Sequence, residues 1–325
     1  MNSNSSNYSH QSIASLVSKD GIGGYYILDE VKCRNTQSGK PFHSGKISDA
    51  SGRMDFVMWD NCAFTVEDTG RIIYVDGSVD TYRGALQAKL LHAYVAPENE
   101  RKSLDMNALI PYAPIHIDNT FWAIKVALLP GYDTPYGKVA MELVKEHERE
   151  LKVCPAAMTV HHAFVGGWEM HTRNMLKMAE SVCDQYGALY PIDRKLLCAG
   201  VALHDIGKLR EYVLSDYGLV ADYSAEGKLL GHSALGAMMV AEKAKDLGVP
   251  RAEVMALEHM LLSHHGKAEL GAAVEPMCIE AQILTDLDGL DSRMEICRDA
   301  LKKVQSGKFS DMIRALDKRV YHATA

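Results

Sequence analysis

Apolar and polar positions change rhythm near residue 97. Before that point, short alternating segments rich in β-branched and aromatic residues are broken by Gly and Asp. The period-two pattern predicts five strands at 24–34, 45–49, 54–59, 71–79 and 84–95. Ser38-Gly39, Ser51-Gly52 and Asp76-Gly77 give turn signals between or within them. Five strands in so short a stretch, with a longer connection at 61–70, predict a small closed barrel over 20–97. Residues 97–118 hold three prolines among polar residues, and 98–118 read as a linker. From about Asn119 the period lengthens to that of helices, interrupted at 129–138 by LPGYDTPYGK. Helices are predicted at 139–150, 167–186, 193–207, 231–247, 250–265, 277–305 and 309–317, with a loop or small hairpin at 212–223. The chain is thus read as multidomain α+β, a five-stranded barrel followed by an all-α bundle over 119–325.

Composition narrows the class. Hydrophobic residues make up 47% and charged residues 24% of 325, the balance of a soluble globular protein. No apolar run reaches the ~18 residues a membrane helix needs. The opening MNSNSSNYSHQS has no apolar core, so residues 1–19 are expected to form a disordered lead-in without a secretory signal. Seven scattered cysteines without a C-x-x-C argue for reduced thiols and a cytoplasmic setting. Residues 20–97 carry 8 Lys and Arg against 10 Asp and Glu, and residues 155–325 carry 19 against 23. Neither half is basic, so nucleic-acid binding would have to use local patches, stacking or metals.

Eight of the fourteen histidines fall between 161 and 265. His171 shares a helical face with Met175, Met178 and Val182, which turns it inward, where a buried imidazole needs a partner. His204-Asp205 ends the apolar run LLCAGVAL, and adjacent inward-facing His and Asp are costly unless paired or bound to a cation. Lys208 follows one turn later, placed to stabilise a phosphate oxygen or leaving group. His232 opens one helix, His264-His265 closes another, and Asp288 lies on a helix with Asp291 three residues on; Asp291 itself reads as a surface acid. His161-His162 reads equally as a substrate contact or as a loop cap.

The order His171, His204-Asp205, Asp288 resembles the HD-domain metal-dependent phosphohydrolases. The phrases HHAFVGGWEMHT, LHDIGK, GHSALG and LSHHG, then a D-x-L-D helix, are similar to the YhaM family of 3′–5′ exoribonucleases. So are GKPFHSGKISDASGRMDFVMWDN and VDGSVDTYRGALQAKLL, which match that family's OB-fold, and the linker NALIPYAPIHID. The resemblance implies two divalent ions, Mn²⁺ above Fe²⁺ or Co²⁺. His171, His204, Asp205 and Asp288 would hold the first, and Asp205 would bridge to a second on His232 with His264 and His265.

It further implies hydrolysis of single-stranded RNA, with DNA as a second candidate substrate, from the 3′ end to nucleoside monophosphates, with Asp205 and Lys208 at the chemistry. Lys40, Phe42, Trp59, Tyr82, Arg83 and Lys89 are the aromatic and basic candidates for strand contacts on the barrel. Two alternatives stay open: a phosphohydrolase of small or cyclic nucleotides, and a non-catalytic single-strand-binding protein. The C-terminal segment is a candidate surface for a homo-oligomer.

Overall fold

A computed structural model describes residues 10–35, 39–59, 64–159, 161–302 and 304–324. The chain divides into two compact units, 1–112 with 214–221, and 113–213 with 222–325.

In the first unit, β1 (Gly21–Asn35), β2 (Pro41–Asp49), β3 (Gly52–Met58), β4 (Ile72–Tyr82) and β5 (Ala85–Val95) close into a barrel in the order β1-β2-β3-β5-β4. All neighbours are antiparallel except β3 and β5, whose parallel pairing completes the ring. Tyr26, Leu28, Ile47, Phe56, Met58, Ile73, Val75 and Ala88 fill the interior. The strands outrun the sequence prediction for physical reasons. β1 starts earlier because the ladder to β4 takes up Gly21 and Gly23, whose low strand propensity hides them. β4 runs on to Tyr82 because Arg83 and Gly84 both have positive φ, 51° and 85°, as a two-residue type I′ hairpin turn requires. The turn expected at Ser38, and Cys62 with the start of the 61–70 connection, lie outside the described residues.

Two expectations need correction here. Residues 1–9 of the expected lead-in lie outside the described residues, but 10–19 are not loose. Ile13 and Leu16 are buried in the barrel core, and His10 bonds the Tyr25 carbonyl (3.1 Å) and Asp49 (3.0 Å). The second concerns the extent of the linker, whose first part is folded. It forms α1 (Glu98–Arg101) and α2 (Met106–Leu109), buries Leu109 and Ile110, and sets Glu100 to accept from the hydroxyls of Tyr25 (2.9 Å) and Tyr94 (3.2 Å).

The second unit holds α3 (Ile117–Leu128), α4 (Pro135–Glu146), α5 (Glu148–Val153), α6 (Gly167–Tyr186), α7 (Arg194–Leu203), α8 (Lys208–Glu211), α9 (Ala225–Asp246), α10 (Met255–Ser263) and α11 (Ile279–Leu301). Between α8 and α9 lie the strands β6 (Tyr212–Leu214) and β7 (Val220–Tyr223) of the expected hairpin. Helix α7 is the core helix: every residue from Leu196 to Leu203 is buried. The LPGYDTPYGK break is a single 3₁₀ turn, after which Pro135 takes the first position of α4 and Thr134 caps it through its hydroxyl.

The helix expected at 309–317 is absent. Bridges from Phe309 to Tyr321 and from Ile313 to Lys318 fold this segment back on itself instead. Among the described residues no helix is long and apolar enough to cross a membrane.

Candidate metal centre

Four of the five imidazoles in the cluster are aimed by what their Nδ1 meets. Helices α7 and α10 both end on a histidine, and a helix end leaves its last carbonyls without intrahelical donors. His204 Nδ1–H donates to the Val201 carbonyl (2.8 Å), and His264 Nδ1–H to the Leu261 carbonyl (2.7 Å), each three residues back. A carbonyl can only accept, so the proton is on Nδ1 and the Nε2 lone pair points away from the helix. His171 donates Nδ1–H to Asp291 Oδ2 (2.7 Å), and His232 Nδ1 meets Glu211 Oε1 (3.1 Å). Gly231, with φ 73° and ψ 157°, breaks α9 just before His232 and turns that ring inward.

The freed Nε2 atoms converge in two groups. In one, His171 and His204 bring their Nε2 atoms to 3.3 Å, with Asp288 Oδ1 3.2 Å from the first and Asp205 Oδ2 3.3 Å from the second. In the other, His232 and His265 bring theirs to 3.1 Å beside His264. Asp205 Oδ1 lies 3.6 Å from His232 Nε2, so one carboxylate turns an oxygen to each group.

The donor set fits divalent cations. Ring nitrogens and carboxylate oxygens held this close offer a divalent ion ligands in place of the protons between them. His264 Nε2 is buried without a hydrogen-bond partner. The C-terminal ends of α7 and α10, where backbone carbonyls carry partial negative charge, lie against the same space.

The titrations agree with a cation site. Burial, with the neighbouring His265, His204 and His232, holds His264 well below its usual range, so its lone pair is free at neutral pH. Burial likewise pulls His265 down. Burial would raise Asp205, but the Lys208 ammonium and His204 hold it well below the usual carboxylate range. Burial opposes ionisation of Asp288 too, and the His171 ring overrides it.

Lys208 is buried rather than poised at an open mouth. Its Nζ donates to Asp205 Oδ2 (2.6 Å) and the Ala156 carbonyl (2.5 Å), so it first fixes the bridging carboxylate. The adjacent pair His161-His162 splits. His161 lies beside His171, ring centroids 5.9 Å apart, and burial with the His171 and Lys208 charges lowers it to about 4. His162 is a correction to its expected substrate role: it is buried and bonds Asp291 Oδ2 through Nε2 (2.7 Å).

Sequence reasoning took Asp291 for a surface acid and passed over Glu211. Both are buried carboxylates holding ligand rings. The signal for Asp291 was its position one turn from Asp288. Glu211 had none, because its partner lies 21 residues away.

On the barrel, Phe42 and Trp59 stack with centroids 5.0 Å apart, and Trp59 is 52% exposed. The Arg83 guanidinium lies over the exposed Tyr82 ring at 5.4 Å, while Lys89 pairs with Asp80 (2.8 Å) and Lys40 is exposed. Trp59 is therefore a surface platform and not barrel filling.

A model of the HD-domain family matches residues 168–293, the segment that contains every proposed ligand. The 3′-5′ exoribonuclease YhaM of Bacillus subtilis is 35% identical over 91% of this chain and 93% of its own length. Its counterpart from Halalkalibacterium halodurans is 33% identical over 93% of both chains, and that from Bacillus licheniformis 36% over 91% and 93%. With an HD domain matched on its ligand-bearing helices and relatives aligned over nearly their whole length, the chain belongs to the YhaM family of 3′–5′ exoribonucleases.

Proposed function

We propose that this protein hydrolyses single-stranded RNA from its 3′ end, releasing nucleoside monophosphates, with two divalent ions held by His171, His204, Asp205 and Asp288 on one side and by Asp205, His232, His264 and His265 on the other. The observation that carries this reading is the position of Asp205, one oxygen turned to each of two imidazole groups. Mixed imidazole and carboxylate ligation without thiolate favours Mn²⁺, with Fe²⁺ or Co²⁺ next. Bound there, such ions activate a water and neutralise the non-bridging oxygens of a phosphodiester.

The chain's own residues supply the rest. Asp205, Asp288, Asp291 and Glu211 are the carboxylates that balance two divalent charges, and the Lys208 ammonium remains as positive charge for an anionic substrate. Lys208 has three N–H groups, of which two are engaged by Asp205 and Ala156, leaving one to meet a phosphate oxygen. His161, whose ring lies 5.9 Å from that of His171 and is neutral at pH 7, would offer an imidazole N–H as a hydrogen bond to the substrate. The Phe42–Trp59 stack and the Arg83–Tyr82 pair would hold successive bases without reading them.

The test incubates Mn²⁺-loaded protein with 5′-labelled single-stranded RNA, single-stranded DNA and a set of small and cyclic nucleotides. A ladder shortening by one nucleotide from the 3′ end is expected. Turnover confined to the small nucleotides would overturn the reading. Asp205→Ala should abolish laddering while RNA binding persists, and wild-type laddering by that variant would remove the metal mechanism. The expected setting is cytoplasmic.

A further inference from the structure

His171 is held differently from the two imidazoles that close helices. His204 and His264 sit at helix ends and lean on spare carbonyls of their own helices. His171 lies inside α6, where the carbonyls of the preceding turn are already taken by the helix ladder. Its ring must therefore be held from another helix, and α11 grips it from both edges. Asp288 Oδ1 lies 3.2 Å from Nε2, and Asp291 Oδ2, one turn along, lies 2.7 Å from Nδ1.

The two edges do different work. A nitrogen that donates a proton cannot ligate an ion, so the Asp291 bond reserves Nε2 for the metal. Asp291 is itself fixed on three sides. Oδ1 accepts from Asn174 Nδ2 (3.1 Å), and Oδ2 accepts from both His171 and His162 at 2.7 Å.

His162 is held at a cost that a space-filling side chain would not need. Its φ is 48°, a left-handed conformation that strains a non-glycine residue. Its carbonyl accepts from the Ala156 amide (3.1 Å), and its Nδ1 is buried without a hydrogen-bond partner. The loop can pass this close to α6 because residue 167 is glycine: a Cβ there would lie 2.0 Å from the His162 carbonyl oxygen. Strain, an unpaired nitrogen and a glycine-dependent approach all serve one bond, from Nε2 to Asp291.

We propose that Asp291 and His162 form a positioning pair, one carboxylate shared by two imidazoles, that fixes which nitrogen of His171 faces the metal and how far the ring can turn. The pair rests on the metal-site reading above. It also ties α11 to the loop that carries His161 and the Ala156 carbonyl, the acceptor of Lys208. The adjacent histidines thus divide their labour, His161 toward the substrate space and His162 toward the frame.

The experiment measures Mn²⁺ binding to the full chain by calorimetry and histidine ring protonation by ¹⁵N-edited NMR on the protein loaded with diamagnetic Zn²⁺. Asp291→Asn should weaken Mn²⁺ by roughly 10- to 100-fold, the usual effect of removing a partner behind a ligand. His162→Phe, which keeps the ring and loses the N–H, should weaken it several-fold. The NMR spectra of the unaltered protein should show protected protons on His171 Nδ1 and His162 Nε2. Wild-type affinity in both variants, or a His162 ring protonated on Nδ1 instead of Nε2, would overturn the pair. The NMR result stands even if a variant fails to fold. His204→Ala separates this proposal from the reading beneath it. If His204→Ala binds Mn²⁺ normally, the metal site itself is misassigned; if it loses Mn²⁺ while Asp291→Asn does not, the positioning pair alone falls.

Discussion

His171 sits with a carboxylate on each edge of its ring, and this sets a pH dependence. Burial alone would lower its pKa, but Asp288 and Asp291 override that and raise it from 6.5 to about 9 in the metal-free protein. The metal-free ring is therefore protonated at neutral pH, and an incoming ion must displace the Nε2 proton. Apparent Mn²⁺ affinity should rise with pH by up to about tenfold per unit and level off near 9. Calorimetric titration across pH 6 to 9 checks this, and a flat profile would contradict it. The linked stability has the opposite sign. A raised histidine pKa stabilises the metal-free fold fully below 6.5, and that contribution is lost as pH climbs through about 9.

Glu169, fully buried on α6, behaves differently. Burial raises its carboxyl from 4.5 to about 8, offset in part by the Lys152 ammonium. The folded state holds this proton more tightly, so stability should fall as pH rises from 4.5 to 8. Glu169→Gln should flatten that slope in thermal melts and raise the melting temperature at pH 8.

At the scale of elements, the metal centre is mostly a matter of how helices end. His204 was legible because an apolar run that delivers adjacent His and Asp inward is costly unless they are paired or bound to a cation, whereas His264 came from the family resemblance. His232 owes its place to the bend at Gly231, whose φ of 73° and ψ of 157° lie in a region nearly confined to glycine. Gly231→Ala should straighten this entry and withdraw His232. A two-step Mn²⁺ isotherm in which the weaker site fades, with the His171 side intact, is the expected outcome. Loss of both sites in one step would contradict it.

The failed element is instructive for the same reason. Phe309, Ile313 and Leu316 have helical spacing, but with no buried surface to pack on, spacing alone could not hold a helix. Asp317, at φ 48°, instead turns the segment back so that Ile313 bridges Lys318. Asp291 and Glu211 were illegible on other grounds. Their roles come from contacts across 129 and 21 residues; Asp291 had only its place one turn from Asp288 to mark it, and Glu211 had nothing.

Over the whole molecule, the change of rhythm near residue 97 correctly separated a barrel from a helical bundle. It placed the junction short, since α1 and α2 belong with the barrel unit. The barrel's outer aromatics were named from sequence without a basis for choosing surface over core; the Phe42–Trp59 stack now favours surface. Substituting both residues by alanine should weaken single-stranded RNA binding by about 1–3 kcal/mol per base lost from the stack, read by fluorescence anisotropy. Hydrolysis of a nitrophenyl phosphodiester by the same variant should match the wild type. An equal fall in both assays would make the barrel a structural appendage.

The parallel pairing of β3 with β5 has a consequence for what the barrel can recognise. A sheet closed on itself has spent its backbone donors and acceptors, so no incoming chain can join by adding a strand. What it can offer a visitor is rings and cations, which greet purines and pyrimidines alike. An exoribonuclease gains from a grip of this kind, which can hold a strand by its rings and phosphates and leave the order of its bases unread.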